Sequence, residues 1–166
     1  MKVLVVCYSR TGNTRKVAQA IADALRPQGE VTLEEIVDRK NRKGFLGWLG
    51  AGKDATLKKA TPIEPLKAEV TGHDLVIVGT PVWAFTAASP VRTFLQERGG
   101  DIARPAFFCT MGGSGAPGAF AAMEELCGKA PAATLALNEK EFKDAEVLRD
   151  KVRDFVAALV KPAGNA

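Results

Sequence analysis

The sequence predicts an α/β fold in three layers: a parallel β-sheet with helices on both faces. Three observations carry that reading. Short continuous apolar runs, VLVV at 3–6, LVIV at 75–78 and AFF at 106–108, suit strands buried on both faces. Segments with helical spacing lie between these runs. Strand then helix, repeated, gives βαβ units, because neighbouring parallel strands need a long crossover.

The elements follow in order. The N-terminal MKVLVVCYSR has a short apolar run and no small-residue cleavage site, so a first strand at 2–8 explains it better than a signal peptide. Val17, Ile21 and Leu25 recur every four residues and share one face of a first helix. Residues 30–37 make the second strand. The stretch 38–74 is too long for a simple crossover and rich in glycine, and it reads as a loop or short-helix insert. Residues 75–79 form strand three. Ser89-Pro90 reads as an N-cap with proline at the first helical position, opening a helix that carries Val91, Phe94 and Leu95. Residues 106–110 are strand four, and Phe120, Met123 and Leu126 mark the helix after it. Thr134–Asn138 is strand five. Val147, Leu148, Val152, Phe155, Val156 and Leu159 form the apolar stripe of a long last helix. All these stripes read as core packing.

A chain of 166 residues suits one domain, here 1–166 with the insert at about 38–74. No apolar run approaches the roughly 20 residues a membrane-spanning helix needs, so no span is expected. Cys7, Cys109 and Cys127 are odd in number and widely spaced, which suggests neither a disulfide frame nor a zinc site. No metal is therefore expected, and a reducing cytoplasm is the default location. The formal charge of +4 is uneven: residues 39–60 hold seven basic side chains and one acid, leaving 16 basic and 18 acidic residues elsewhere, a net of −2. No nucleic-acid recognition motif accompanies this basic segment, and a solvated basic loop explains it better than nucleic-acid binding.

Ligands of open parallel sheets bind beyond the carboxyl ends of the strands, near the switch in strand order. Three polar or glycine-rich segments fall there: SRTGNT after strand one, TPVWAFTAAS after strand three and TMGGSGAPG after strand four. In the first, Ser9, Thr11, Asn13 and Thr14 crowd Gly12 just where a helix begins. A helix N-terminus leaves up to four N–H groups unpartnered and its dipole favours an anion. Capping accounts for one such side chain, whereas four of them suit a terminal phosphate. The nucleoside-triphosphate loop G-x-x-x-x-G-K-[ST] and the dinucleotide motif G-x-G-x-x-G are both absent. A tyrosine-phosphatase loop starting from Cys7 would need arginine where Asn13 stands, so Cys7 reads as a buried strand residue. Cys109 has no base near it in sequence, and His73 reads as a turn residue without chemistry.

SRTGNT resembles the phosphate loop of the flavodoxin family. The second loop with its tryptophan and the glycine-rich third loop match that family's two flavin-ring loops in order and position. The resemblance implies a flavodoxin-like αβα sandwich, a five-stranded parallel sheet of order 2-1-3-4-5, and FMN as cofactor; flavodoxin is itself a standard example of FMN at this switch point. It further implies that Ser9, Arg10, Thr11, Gly12, Asn13 and Thr14 hold the phosphate and that Thr80 and Pro81 border the ribityl chain. Val82, Trp83, Ala84 and Phe85 would line one side of the ring. Thr110 opens the loop whose Met111, Gly112, Gly113 and Ser114 would line the other. Two departures stand out. The third loop lacks the tyrosine typical of the family, and a basic insert intrudes on what is usually a strongly acidic protein. Phe45 and Trp48 in that insert would pack onto the body, form a lid over the flavin or meet a partner. If the insert folds toward the flavin, its charge would stabilise the anionic reduced form.

The leading functional expectation is an FMN-binding redox protein that passes electrons to or from partner proteins. The alternative is an NAD(P)H-dependent FMN reductase of quinones or similar small acceptors, and a third reading is a flavin-binding module without turnover. The three loops show no acid–base pair, which favours the carrier, while the large insert favours an enzyme with a covered pocket. Fold alone does not choose between them.

Overall fold

The computed structural model describes residues 1–40 and 61–161. Its strands are β1 (Lys2–Cys7), β2 (Glu30–Glu35), β3 (Leu75–Trp83), β4 (Thr86–Ala87), β5 (Pro105–Met111) and β6 (Thr134–Asn138). Its helices are α1 (Asn13–Leu25), α2 (Ser89–Arg98), α3 (Ala116–Cys127), α4 (Glu139–Lys143) and α5 (Ala145–Val160).

The sheet runs β2-β1-β3-β5-β6, all parallel, with β4 paired antiparallel to the end of β3. Five parallel strands in the expected order are present, but the strand count is six. The difference arises because β3 does not stop at Gly79. It continues to Trp83 and turns back through Ala84 and Phe85, so that Val82 faces Ala87 and Trp83 faces Thr86. The polar loop expected after strand three is thus partly a hairpin.

The apolar runs are two-sided, as continuous hydrophobicity requires. In β1, Val3, Val5 and Cys7 join one core with α1 and α5, while Leu4 and Val6 join the opposite core with α2 and α3. Ile77 and Val78 of β3, and Phe108 and Phe107 of β5, divide in the same way. On α1, Val17, Ile21 and Leu25 are fully buried with Ala18 and Ala22. On α3, Met123 is fully buried, whereas Phe120 and Leu126 pack half-buried at the edge of their core. Helix α2 starts one residue earlier than its sequence pattern predicts. Ala88 is the N-cap residue, no side chain caps it, and Ser89 is the first helical residue with its hydroxyl buried and unpaired.

The described end of the 38–74 insert is tied to the body. The Arg39 N–H donates to Pro62 O at 3.1 Å and the Glu64 N–H donates to Val37 O at 2.9 Å. The Glu34 carboxylate accepts from the N–H groups of Lys67 and Ala68. Phe45 and Trp48, and the basic residues Arg42, Lys43 and Lys53, lie outside the described residues. Among those described, no helix is long and apolar enough to cross a membrane. All three cysteines are free and buried.

Candidate functional site

Beyond the carboxyl ends of β1, β3 and β5 lies a cleft of about 280 Å³. Arg10, Thr11, Asn13 and Thr14 line it from the first loop, and Pro81, Val82 and Trp83 from the end of β3. Thr110, Met111 and Gly112 line it from the end of β5. Ten of the residues expected from sequence therefore share one cleft, although they come from three distant parts of the chain.

The first-loop end of the cleft is shaped by local backbone chemistry. Gly12 is the N-cap residue of α1 and has φ +96°, a left-handed conformation that glycine adopts without strain. Its N–H donates to Ser9 Oγ at 3.0 Å, so Ser9 folds the loop from beneath instead of lining the cleft. No side chain caps α1 and its first turn holds no acid. The first-turn N–H groups have no intrahelical partner, and Thr11 and Asn13 beside them are exposed. Thr14 is buried, and its hydroxyl shares a 2.8 Å hydrogen bond with that of Thr110. Arg15 pairs with Glu35 at 3.3 Å, while Arg10 lines the cleft itself.

The ends of β3 and β5 give the cleft two further walls. Trp83 is half-buried and meets Tyr8 edge-to-face, with centroids 5.4 Å apart and planes at 89°. That contact holds the indole against the first strand's end. On the loop after β5, Gly112 lines the cleft; it and Gly113 are exposed, and a methyl group built on either would meet nothing within 4 Å. The backbone there is accessible to a planar ligand.

Besides Ser9, Gly12 and Gly113, four expected residues lie outside the cleft lining. Thr80 is fully buried; its hydroxyl donates to Pro81 O at 2.8 Å and accepts from the Ala88 N–H at 2.9 Å, bracing the hairpin. Ala84 and Phe85 form the exposed tip of that hairpin, and Ser114 is exposed further along the third loop.

Sequence reasoning missed Glu139 and Phe142, which close the cleft from α4. The available signal is N-x-x-E at 138–141. Asn138 accepts from the Glu141 N–H, and Glu141 accepts from the Asn138 N–H, a reciprocal helix cap. Lys151 donates to Glu141 at 2.6 Å, and this bond with the Asn138 N–H holds the Glu141 carboxyl below its usual range. Lys16 Nζ donates to the Phe142 carbonyl at 3.0 Å, fixing α4 to α1.

Thiol chemistry has no support here. Burial, reinforced by Glu35 and opposed by Arg15, pushes the Cys7 thiol up to about 12. Burial alone pushes Cys109 up to about 12. Neither forms the thiolate that nucleophilic chemistry requires.

Residues 1–127 match the family model described as NADPH-dependent FMN reductase. The chain belongs to the NADPH-dependent FMN reductase family. Residues 1–127 of this family member include all three strand-end loops of the cleft and leave out only α4. The flavodoxin resemblance holds at the level of the fold. A flavoprotein from Lactobacillus acidophilus NCFM, solved in complex with FMN, is similar at 21% identity and TM-score 0.71, over 86% of this chain and 96% of that one. Oxidised flavodoxin 2 from Bacillus cereus is similar at 19% identity and TM-score 0.59, over 97% and 99%. A flavodoxin from the domain Archaea gives 18% identity and TM-score 0.60, over 95% and 96%. The reductase-family chain thus shares a flavodoxin-like sandwich with proteins of distant sequence.

Proposed function

We propose that this protein is an NAD(P)H-dependent FMN reductase of quinones or similar small acceptors, with its FMN held in the cleft described above. The observation that carries this reading is the family match over 1–127, because that stretch contains the first, second and third loops together. The donor set fits the cofactor. An uncapped helix N-terminus, free of acids and flanked by hydroxyl and amide groups, suits a phosphate dianion, and bare glycine backbone in the same cleft as an indole suits a flat ring.

Thr11, Asn13, Thr14 and the first-turn N–H groups of α1 hold the phosphate, with Arg10 adding positive charge. Pro81 borders the ribityl chain. Val82 and Trp83 bound one side of the ring, and Met111 and Gly112 bound the other. When bound, FMN supplies the redox chemistry, taking a hydride from reduced nicotinamide and passing two electrons to the acceptor. The residues around it set position and water access. The cleft lining has no paired acid and base, and hydride transfer needs none. The buried free thiols suit a reducing cytoplasm.

Anaerobic mixing of FMN-loaded protein with NADH or NADPH tests the proposal. Rapid bleaching of the flavin band is expected. No bleaching with either nucleotide, together with reduction by a flavoprotein reductase, would favour an electron carrier between proteins.

A further inference from the structure

The turn joining β3 to β4 consists of Ala84 and Phe85, and both have left-handed backbone, with φ of +48° and +61°. A two-residue hairpin favours this conformation because its twist matches that of the strands. Residues with side chains adopt it at a cost, and a bulky aromatic is an uncommon choice. The Phe85 side chain is also 71% exposed, against 47% and 40% for the other exposed large hydrophobics among the described residues. The left-handed backbone serves the turn, but neither turn nor core calls for an exposed phenyl ring there.

Helix α3 fixes this turn from beneath. A methyl group built on Gly118 would stand 2.1 Å from the Phe85 carbonyl oxygen. One built on Gly115 would stand 2.7 Å from Val82 Cγ1 and 3.3 Å from Phe85 Cδ1. The two glycines therefore let the hairpin tip lie flush on the start of α3. Phe85 follows Val82 and Trp83 of one ring wall and rests one edge on Gly115, which ends the loop forming the other. The phenyl ring thus lies two residues beyond Trp83 in the chain and against Gly115, three residues beyond Gly112, next to both cleft-lining loops.

We propose that Phe85 is a specificity-determining residue: a rigid aromatic shelf at the mouth of the FMN cleft that receives the flat conjugated ring of the electron acceptor. The inference rests on the reductase reading and names its acceptor class, quinones and free flavins. A flat conjugated ring gains offset-stacked or edge contact with phenyl, whereas a compact inorganic ion gains none. In the overall reaction a quinone takes two electrons and two protons to become the hydroquinone. Reduced nicotinamide supplies a hydride, and solvent supplies the second proton. Phe85 exchanges neither electron nor proton; it holds the ring. Its fixed backbone lowers the ordering cost of binding.

The test uses FMN-loaded protein reduced photochemically without oxygen, so that no nicotinamide is needed and a failure of hydride uptake leaves the measurement intact. Reoxidation is followed by stopped flow against p-benzoquinone, riboflavin and ferricyanide. Phe85→Ala should raise the half-saturating concentration of the two flat acceptors by about 2- to 12-fold, the range of one aromatic contact. The limiting rate, FMN affinity and ferricyanide kinetics should not change, and Phe85→Trp should restore the flat acceptors. An effect on one flat acceptor alone assigns the shelf to that acceptor. Phe85→Gly should raise the melting temperature, because it removes the left-handed strain, while losing the same affinity. A structural residue would lose both together. Unchanged half-saturation for both flat acceptors, or an equal change with ferricyanide, overturns the proposal. An effect seen only with a protein acceptor such as cytochrome c overturns it in favour of a protein-docking tip.

Discussion

The hydroxyls of Thr14 and Thr110 stand 2.8 Å apart in the buried floor of the cleft, joining the first turn of α1 to the end of β5 across 96 residues. Removing either leaves its partner unpaired and buried, at a cost of about 1–3 kcal/mol. Thr14→Val and Thr110→Val should each lower the stability of the FMN-free protein by that amount in urea unfolding. The double variant should lose clearly less than the sum of the two. Additive losses would show that the two hydroxyls do not act as a pair.

Among the described residues, the Thr11 side chain has no hydrogen-bond partner, and Thr11 is exposed in the cleft. Thr11→Ala should weaken FMN binding by about 1.5–3 kcal/mol, the range for a hydrogen bond to a charged group. Riboflavin, which lacks the phosphate, should bind the wild type much more weakly than FMN and should not distinguish it from the variant. Fluorescence titration of both ligands reads this directly. Equal wild-type affinity for riboflavin and FMN would remove the phosphate from the argument.

Trp83 pairs with Tyr8 in a T-shaped contact and lines the cleft. Flavin fluorescence should be quenched in the FMN-loaded protein. Trp83→Ala should restore emission or weaken binding, and should also cost about 0.5–1.5 kcal/mol of stability in the FMN-free protein through the lost aromatic pair. Tyr8→Leu should reproduce the stability loss with a smaller effect on emission. Unchanged emission and affinity in Trp83→Ala would place the indole away from the flavin.

Cys7 and Cys109 are pushed up from the ordinary 9.0 to about 12 by burial. Each folded thiol holds its proton where the unfolded one would release it. Their contribution to stability is therefore complete below about pH 9 and is lost as pH rises toward 12. Melting temperatures should fall across that alkaline window. At about pH 8, a thiol reagent should modify both cysteines only as fast as the protein unfolds. Fast labelling of Cys7 in native protein would contradict its burial.

Much of this fold is legible in the sequence because both cores draw on unbroken apolar runs. VLVV sends alternate residues to opposite faces, and that two-sided burial is what a parallel sheet requires. The cleft is legible in the first loop, where four polar side chains around Gly12 exceed the needs of a helix cap. The hairpin is not legible, because Ala84 and Phe85 carry none of the asparagine or glycine that usually marks a left-handed turn. Its register depends on the space left by Gly115 and Gly118, more than thirty residues onward. Thr80 reads as a ligand group because a strand-end hydroxyl is available in one dimension; in three it is consumed by Pro81 and Ala88. Glu139 and Phe142 escape notice because their place at the cleft is set by tertiary contacts, Lys16 with Phe142 and Lys151 with Glu141.

The strand order also constrains the path by which the chain reaches this state. The bond from Lys16 to the Phe142 carbonyl spans 126 residues, so the cleft closes only when nearly the whole described chain has condensed. Interior β1 finds its neighbour β3 only after a long detour in sequence. Such distant pairings fold slowly, because loop closure comes before any contact compensates it. The flavin therefore meets no complete site on the nascent chain and cannot act as a template for early collapse. Its influence falls on the return journey, where bound ligand must leave or be carried along as the native state opens. Refolding should proceed at the same rate with or without FMN, while unfolding slows as FMN is added.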